Sequence, residues 1–62
     1  MEIKAEYRNE DLGVEALVVA HERGFIIKLI DLEAEALVNG DWFTIFPTFE
    51  GADDYARRCV MF

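Results

Sequence analysis

Residues 2–8 alternate without a break: Ile3, Ala5 and Tyr7 fall on one side, Glu2, Lys4, Glu6 and Arg8 on the other. A period of two with opposite charges side by side predicts a half-buried strand. Asn9 to Gly13 is polar and ends in glycine, the pattern of a loop. Residues 14–20 and 25–30 are β-branched and apolar, separated by His21-Glu22-Arg23-Gly24. They predict a hairpin in which Gly24 supplies a positive φ. Both strands are apolar on both faces near their middles, which suggests central positions in a sheet.

The stretch from Asp31 to Gly40 admits two readings. Asp-Leu-Glu-Ala-Glu-Ala-Leu-Val has high helix propensity, with Asp31 as N-cap and Gly40 just past the end. Against this, Asn39-Gly40 lies between Leu37-Val38 and Trp42-Phe43, the signature of a type I′ hairpin. Ala34, Ala36 and Val38 also alternate with Glu33 and Glu35, so the strand reading is preferred, with a turn or bend near Asp31. Residues 41–46 are expected to form the last strand, ended by Pro47.

A helix should follow. Thr48 suits the N-cap, and Ala52, Tyr55, Ala56, Cys59 and Val60 make one apolar stripe. Acids precede the basic pair Arg57 and Arg58, as the helix dipole favours. Asp53–Arg57 and Asp54–Arg58 are i,i+4 pairs, worth ~0.2–0.5 kcal/mol each. The expected fold is α+β: a single domain over residues 1–62, with an antiparallel sheet of four or five strands and one C-terminal helix on one face. Leu17, Val19, Ile26, Ile30 and Phe43 are left for the opposite face. An uncovered apolar face there would mark a homodimer or partner contact, unless the N-terminal segment or the 31–40 stretch folds across it.

Charge changes the picture most. The net charge of −7 arises in one window between Lys28 and Arg57 that holds seven carboxylates and no base. They are Asp31, Glu33, Glu35, Asp41, Glu50, Asp53 and Asp54. The other six acids and all six bases, which lie outside the window, cancel formally. Like charges held together repel, and folded domains normally intersperse their signs. The asymmetry points to a basic partner surface or to a solvated face that keeps a small protein soluble. Direct nucleic-acid binding is disfavoured, because affinity for DNA and RNA comes chiefly from neutralisation of phosphate by Lys and Arg. Mimicry of nucleic acid is open: duplex DNA carries one charge per ~1.7 Å, so seven charges match about 12 Å of duplex. On a strand, Glu33 and Glu35 would project to one side ~6.6–6.8 Å apart.

Candidate chemistry is sparse, and the chain reads as a non-enzyme without a cofactor. It has no Ser, so hydroxyl nucleophiles reduce to Thr44 and Thr48. A pair of His21 and Cys59 is conceivable, but Cys59 falls on the apolar stripe, where a free thiol behaves as a small hydrophobe. One His and one Cys cannot build a zinc site. Asp31, Glu33 and Glu35 resemble the opening of a calcium loop, yet Ala36 stands where the glycine belongs and Trp42 where the bidentate Glu belongs. There is no glycine-rich phosphate loop. The lone Cys59 cannot pair within the chain and fits a reducing compartment. The opening Met-Glu-Ile-Lys-Ala-Glu lacks the basic-then-apolar pattern of a signal peptide, and the longest apolar run, Ala16 to Ala20, is far short of a membrane span. A cytoplasmic setting is expected.

In size, acidity, small α+β build and absence of catalytic residues, the chain resembles phage-encoded inhibitors of bacterial defence. Anti-CRISPR proteins of the DNA-mimic kind are the nearest comparison. That likeness covers general character and no residue pattern, so no site residue carries over from it. It implies a small inhibitor, acting in the host cytoplasm, that occupies the basic nucleic-acid-contacting groove of a CRISPR effector. The charge pattern nominates the seven carboxylates of the window as its partner-binding residues. The alternative function is a non-catalytic assembly module that homodimerises through the apolar sheet face.

Overall fold

The computed structural model describes residues 2–38 and 44–61. Four strands, β1 (Ile3–Asn9), β2 (Val14–His21), β3 (Gly24–Asp31) and β4 (Ala36–Leu37), precede one helix, α1 (Phe49–Val60). The sheet is an antiparallel meander in the order β1-β2-β3-β4, and α1 packs on one face. The α+β fold expected from the alternation is the fold observed, and β2 and β3 are its central strands.

The helix face of the sheet is built from Ala16, Val18 and Ile27, which meet Ala52, Ala56 and Val60 of α1. Residues at i, i+4 and i+8 line one side of a helix, and two alanines let it approach the strands closely. The apolar stripe is narrower than the sequence implies. Tyr55 is 49% exposed, with its ring against Phe46 at 5.3 Å, and Cys59 is half-buried. Both sit at the margins of a contact whose buried centre is Ala52, Ala56 and Val60, with Phe49 packed beside them. Thr48 caps the helix as predicted: its Oγ1 accepts from the Gly51 amide at 3.2 Å. Both i,i+4 ion pairs form at 3.1 Å. Asn9 closes the other end, donating from Nδ2 to the Val60 carbonyl at 2.6 Å.

The opposite face is not bare. Leu17, Val19 and Ile26 are buried there, with Ile30 and Ile45 packed on them. Of the two outcomes weighed for this face, a bare surface or one with other chain packed on it, the described residues show the second in part: Ile45, from outside the strands, packs on it. Phe43 lies outside the described residues.

Three local expectations also change. A bulge between Ile3 and Ala5 breaks the alternation of β1 and leaves Ile3 44% exposed. Residues 32–35 form a turn, so Glu33 and Glu35 are not on a strand. The cause is Asp31: its Oδ1 accepts from the amides of Glu33 and Ala34 at 2.9 and 3.2 Å, and its carbonyl accepts from Glu35 at 2.7 Å. Asp side chains compete in this way with ladder bonding, and the bend predicted near Asp31 is this turn. Glu35 takes a φ of 54° within it.

Thr44 and Ile45 are not in a strand, and Phe46 makes a single bridge with Phe25. Nine positions separate Leu37 from Phe46, while five separate their partners Ile30 and Phe25. One continuous ladder cannot satisfy both pairings. The Asn39-Gly40 hairpin lies outside the described residues.

Gly24 is required where it stands. Its φ is +146°, and a Cβ there would lie 2.2 Å from the Phe46 carbonyl oxygen. Glycine lets the Phe25–Phe46 bridge close over the start of β3, with N–H···O bonds of 2.8 and 2.7 Å.

Candidate functional site

In an antiparallel meander, alternate connections lie at the same end of the sheet. The turn after β1 and the turn after β3 are accordingly neighbours, tied by a 2.9 Å bond from the Leu32 amide to the Gly13 carbonyl. Each turn is shaped by a side chain accepting backbone N–H groups. Asn9 Oδ1 holds the Leu12 amide at 3.1 Å in the first, and Asp31 does the same work in the second. Gly13, at φ +70°, returns the first turn into β2. Between the two turns is an open concavity of about 430 Å³, lined by Arg8, Glu10, Asp11, Leu12 and Gly13 on one side and Leu32 and Glu33 on the other.

This end is acidic. Glu10, Asp11, Glu33 and Glu35 are exposed, and Asp31 is half-buried behind them. Arg8 is the base that lines the concavity, 3.8 Å from Glu10 through Nε.

Of the seven carboxylates in the window, the structure brings Asp31, Glu33 and Glu35 together here and places three others on α1. Asp53 is largely buried, its side chain 13% exposed; it accepts a hydrogen bond from the Tyr7 hydroxyl and pairs with Arg57. It fastens the helix to β1. Asp54 is paired with Arg58. Glu50 is exposed in the first turn of α1. That turn follows the Phe25–Phe46 bridge, at the opposite end of the sheet from Asn9 and the acidic turns. Asp41 lies outside the described residues.

The charge window omits Glu10 and Asp11, because along the chain nearby bases balance them. The available signal was topological. Once the first three strands are read as a meander, the loops after the first and the third must share an end.

Two groups have displaced proton affinities that bear on chemistry. The Tyr7 hydroxyl is pushed above its ordinary value by its bond to Asp53, then by burial and by the Asp53 charge. Burial pushes the Cys59 thiol up, partly offset by a hydrogen bond from Tyr55; this is the reverse of an activated nucleophile. Cys59 lies near the Asn9 end of the sheet, whereas His21 pairs with Gly24 at the other end and accepts from the Arg23 amide at 3.1 Å. The two cannot act together. Among the described residues no group of three or more His, Cys, Asp or Glu side chains is placed to hold a metal ion. No helix among them is long and apolar enough to cross a membrane. Comparison with protein-family models, with curated proteins and with solved structures finds no match.

Proposed function

We propose that this chain is a small non-catalytic inhibitor acting in the cytoplasm, of a host cell if it is phage-encoded. Its acidic sheet end would occupy a basic protein surface that otherwise holds nucleic acid. One observation carries the reading: five carboxylates, Glu10, Asp11, Asp31, Glu33 and Glu35, gather on two adjoining turns with Arg8 as the base among them. The turns are centred two strand spacings apart, about 10 Å. Duplex DNA presents about six charges over that length, so the density is of the kind a phosphate-binding Arg/Lys surface accepts. The helix acids contribute less, since Asp53 and Asp54 already face Arg57 and Arg58. The resemblance to anti-CRISPR proteins makes a CRISPR effector complex the first partner to test.

The experiment compares two charge-reversed variants in binding to such an effector across a salt series. Asp11, Glu33 and Glu35 changed together to Lys should abolish binding. Glu50 and Asp54 changed to Lys should leave most of it. Wild-type binding should weaken with salt and exclude nucleic acid from the same effector. A turn variant that binds like wild type, or a complex holding protein and nucleic acid together, refutes the proposal.

A further inference from the structure

Among the described residues, β1 has β2 on one side and no strand on the other. The register determines which backbone groups that edge presents. On β3, Phe25 exchanges bonds with Phe46, and Leu29 accepts from Val38, all on the side away from β2. Even-numbered residues of β3 therefore bond to odd-numbered residues of β2. Even-numbered residues of β2 then bond to their β1 partners Ala5, Tyr7 and Asn9. That leaves the N–H and C=O groups of Glu6 and Arg8 directed outward, in the regular part of β1 beyond the bulge.

Charge and bulges ordinarily blunt an open edge, and β1 carries both. Its charges also have an order: Lys4, Glu6, Arg8 and, past the end of the strand, Glu10 alternate in sign at every second position. Laid antiparallel against a second copy about an axis through Tyr7, the two charges of the regular segment each meet an opposite. Glu6 faces Arg8 of the second copy and Arg8 faces Glu6, while Lys4 lies in the bulge and Glu10 in the turn, outside the ladder. Moving the axis to Glu6 or to Arg8 sets like charges against each other throughout. An axis through Ala5 is also complementary in charge, but it needs a ladder bond from Lys4, which lies in the bulge.

We propose that the β1 edge is a homodimer interface, joining two four-stranded sheets into one of eight strands about a two-fold axis at Tyr7. Glu6 and Arg8 exchange four backbone bonds across it with their counterparts, and their side chains fix the register. The helices do not obstruct this. Each α1 lies over β2, flanked by β1 and β3, so the two axes would be three strand spacings apart, about 14 Å. A helix with its side chains is about 10–12 Å across. The proposal rests on the charge order of β1; it shares Arg8 with the acidic end, and its test reads self-association rather than effector binding.

Sedimentation of the full chain over a concentration series, with two single variants, tests it. Wild type should pass from the 7.1 kDa monomer to a species of twice that mass. E6R sets Arg against Arg across the axis and R8E sets Glu against Glu, so each alone should dimerise about tenfold more weakly or worse. Mixed in equal amounts, the two edges are complementary and should form a heterodimer at least as tight as the wild-type dimer. A wild type that stays monomeric at millimolar concentration overturns the proposal, as do variants that dimerise unchanged or a mixture that does not associate. Should either variant fail to fold, hydrogen exchange in wild type decides: the Glu6 and Arg8 amides must become protected as concentration rises, and unchanged exchange overturns the interface.

Discussion

Gly24 supports the sheet at the point where the chain returns to it, and Gly24→Ala tests that joint. The residue sits at φ +146°, a region that L side chains rarely adopt and whose strain is of order 1–3 kcal/mol. The new Cβ would lie 2.2 Å from the Phe46 oxygen and 3.1 Å from its carbonyl carbon. Both are backbone atoms, so no side chain can swing aside. The bridge must open, losing two hydrogen bonds worth ~0.5–1.5 kcal/mol each. Together these come to about 2–6 kcal/mol, against the roughly 3–9 kcal/mol expected for 62 residues. Gly13→Ala is the internal control. It also has a positive φ, +70°, but nothing lies within 4 Å of its added Cβ, so only ~1–2 kcal/mol of left-handed strain is expected. Urea unfolding followed by far-ultraviolet circular dichroism gives both values. In Gly24→Ala the Phe25 and Phe46 amides should also exchange well before global unfolding. If Gly24→Ala costs no more than Gly13→Ala, the return of the chain onto β3 is not what holds that end of the sheet.

Two further expectations follow from the packing of α1. Ala56 is fully buried between helix and sheet; Ala56→Asp should cost several kcal/mol and leave the chain largely unfolded by circular dichroism, while Ala56→Ser should fold. Tyr7 keeps its proton above the ordinary 10.0 when folded, so its stabilisation is full below that pH and falls as the pH rises through the folded value, because the unfolded chain ionises first. Tyr7→Phe, in a Cys59→Ala background that removes the similarly raised thiol, should flatten the fall in urea midpoint above about pH 10; an unchanged slope would rule out the Tyr7–Asp53 bond as its source.

Local periodicity made β1, the β2–β3 hairpin and α1 legible, since each is a run whose apolar spacing matches one geometry. It failed where side chains bond to the backbone. Asp31 converts an alternating stretch into a turn, and no pattern of apolar and polar positions records which amides a carboxylate will capture. The surplus apolar residues Leu17, Val19 and Ile26 were also legible, but not their cover. Ile45 packs on that face while its neighbour Phe46 joins the helix-side core, which requires knowing that the chain returns beside β3. The acidic end was half legible. Asp31, Glu33 and Glu35 stand out along the linear chain, whereas Glu10 and Asp11 join them only through the order of the strands.

The same chain arranges its acids in two different ways, and the contrast bears on whether the turn end is more than a solvated face. On α1, Asp53 and Asp54 are each matched one turn later by an arginine. At the turn end, exposed carboxylates face one another across the concavity with Arg8 beside Glu10. Two like charges about 10 Å apart in water repel by about 0.4 kcal/mol, so several such pairs are a noticeable burden on a domain this small. Dispersed charge would keep the protein soluble without that burden. A basic partner surface relieves it on binding, and added salt relieves it without a partner, since the screening length is about 10 Å at 0.1 M. Salt should therefore stabilise the free protein while weakening its complex. Those opposite signs, read from urea midpoints and from effector affinity in the same buffers, separate an acidic end built for a basic partner from one that is only solvated.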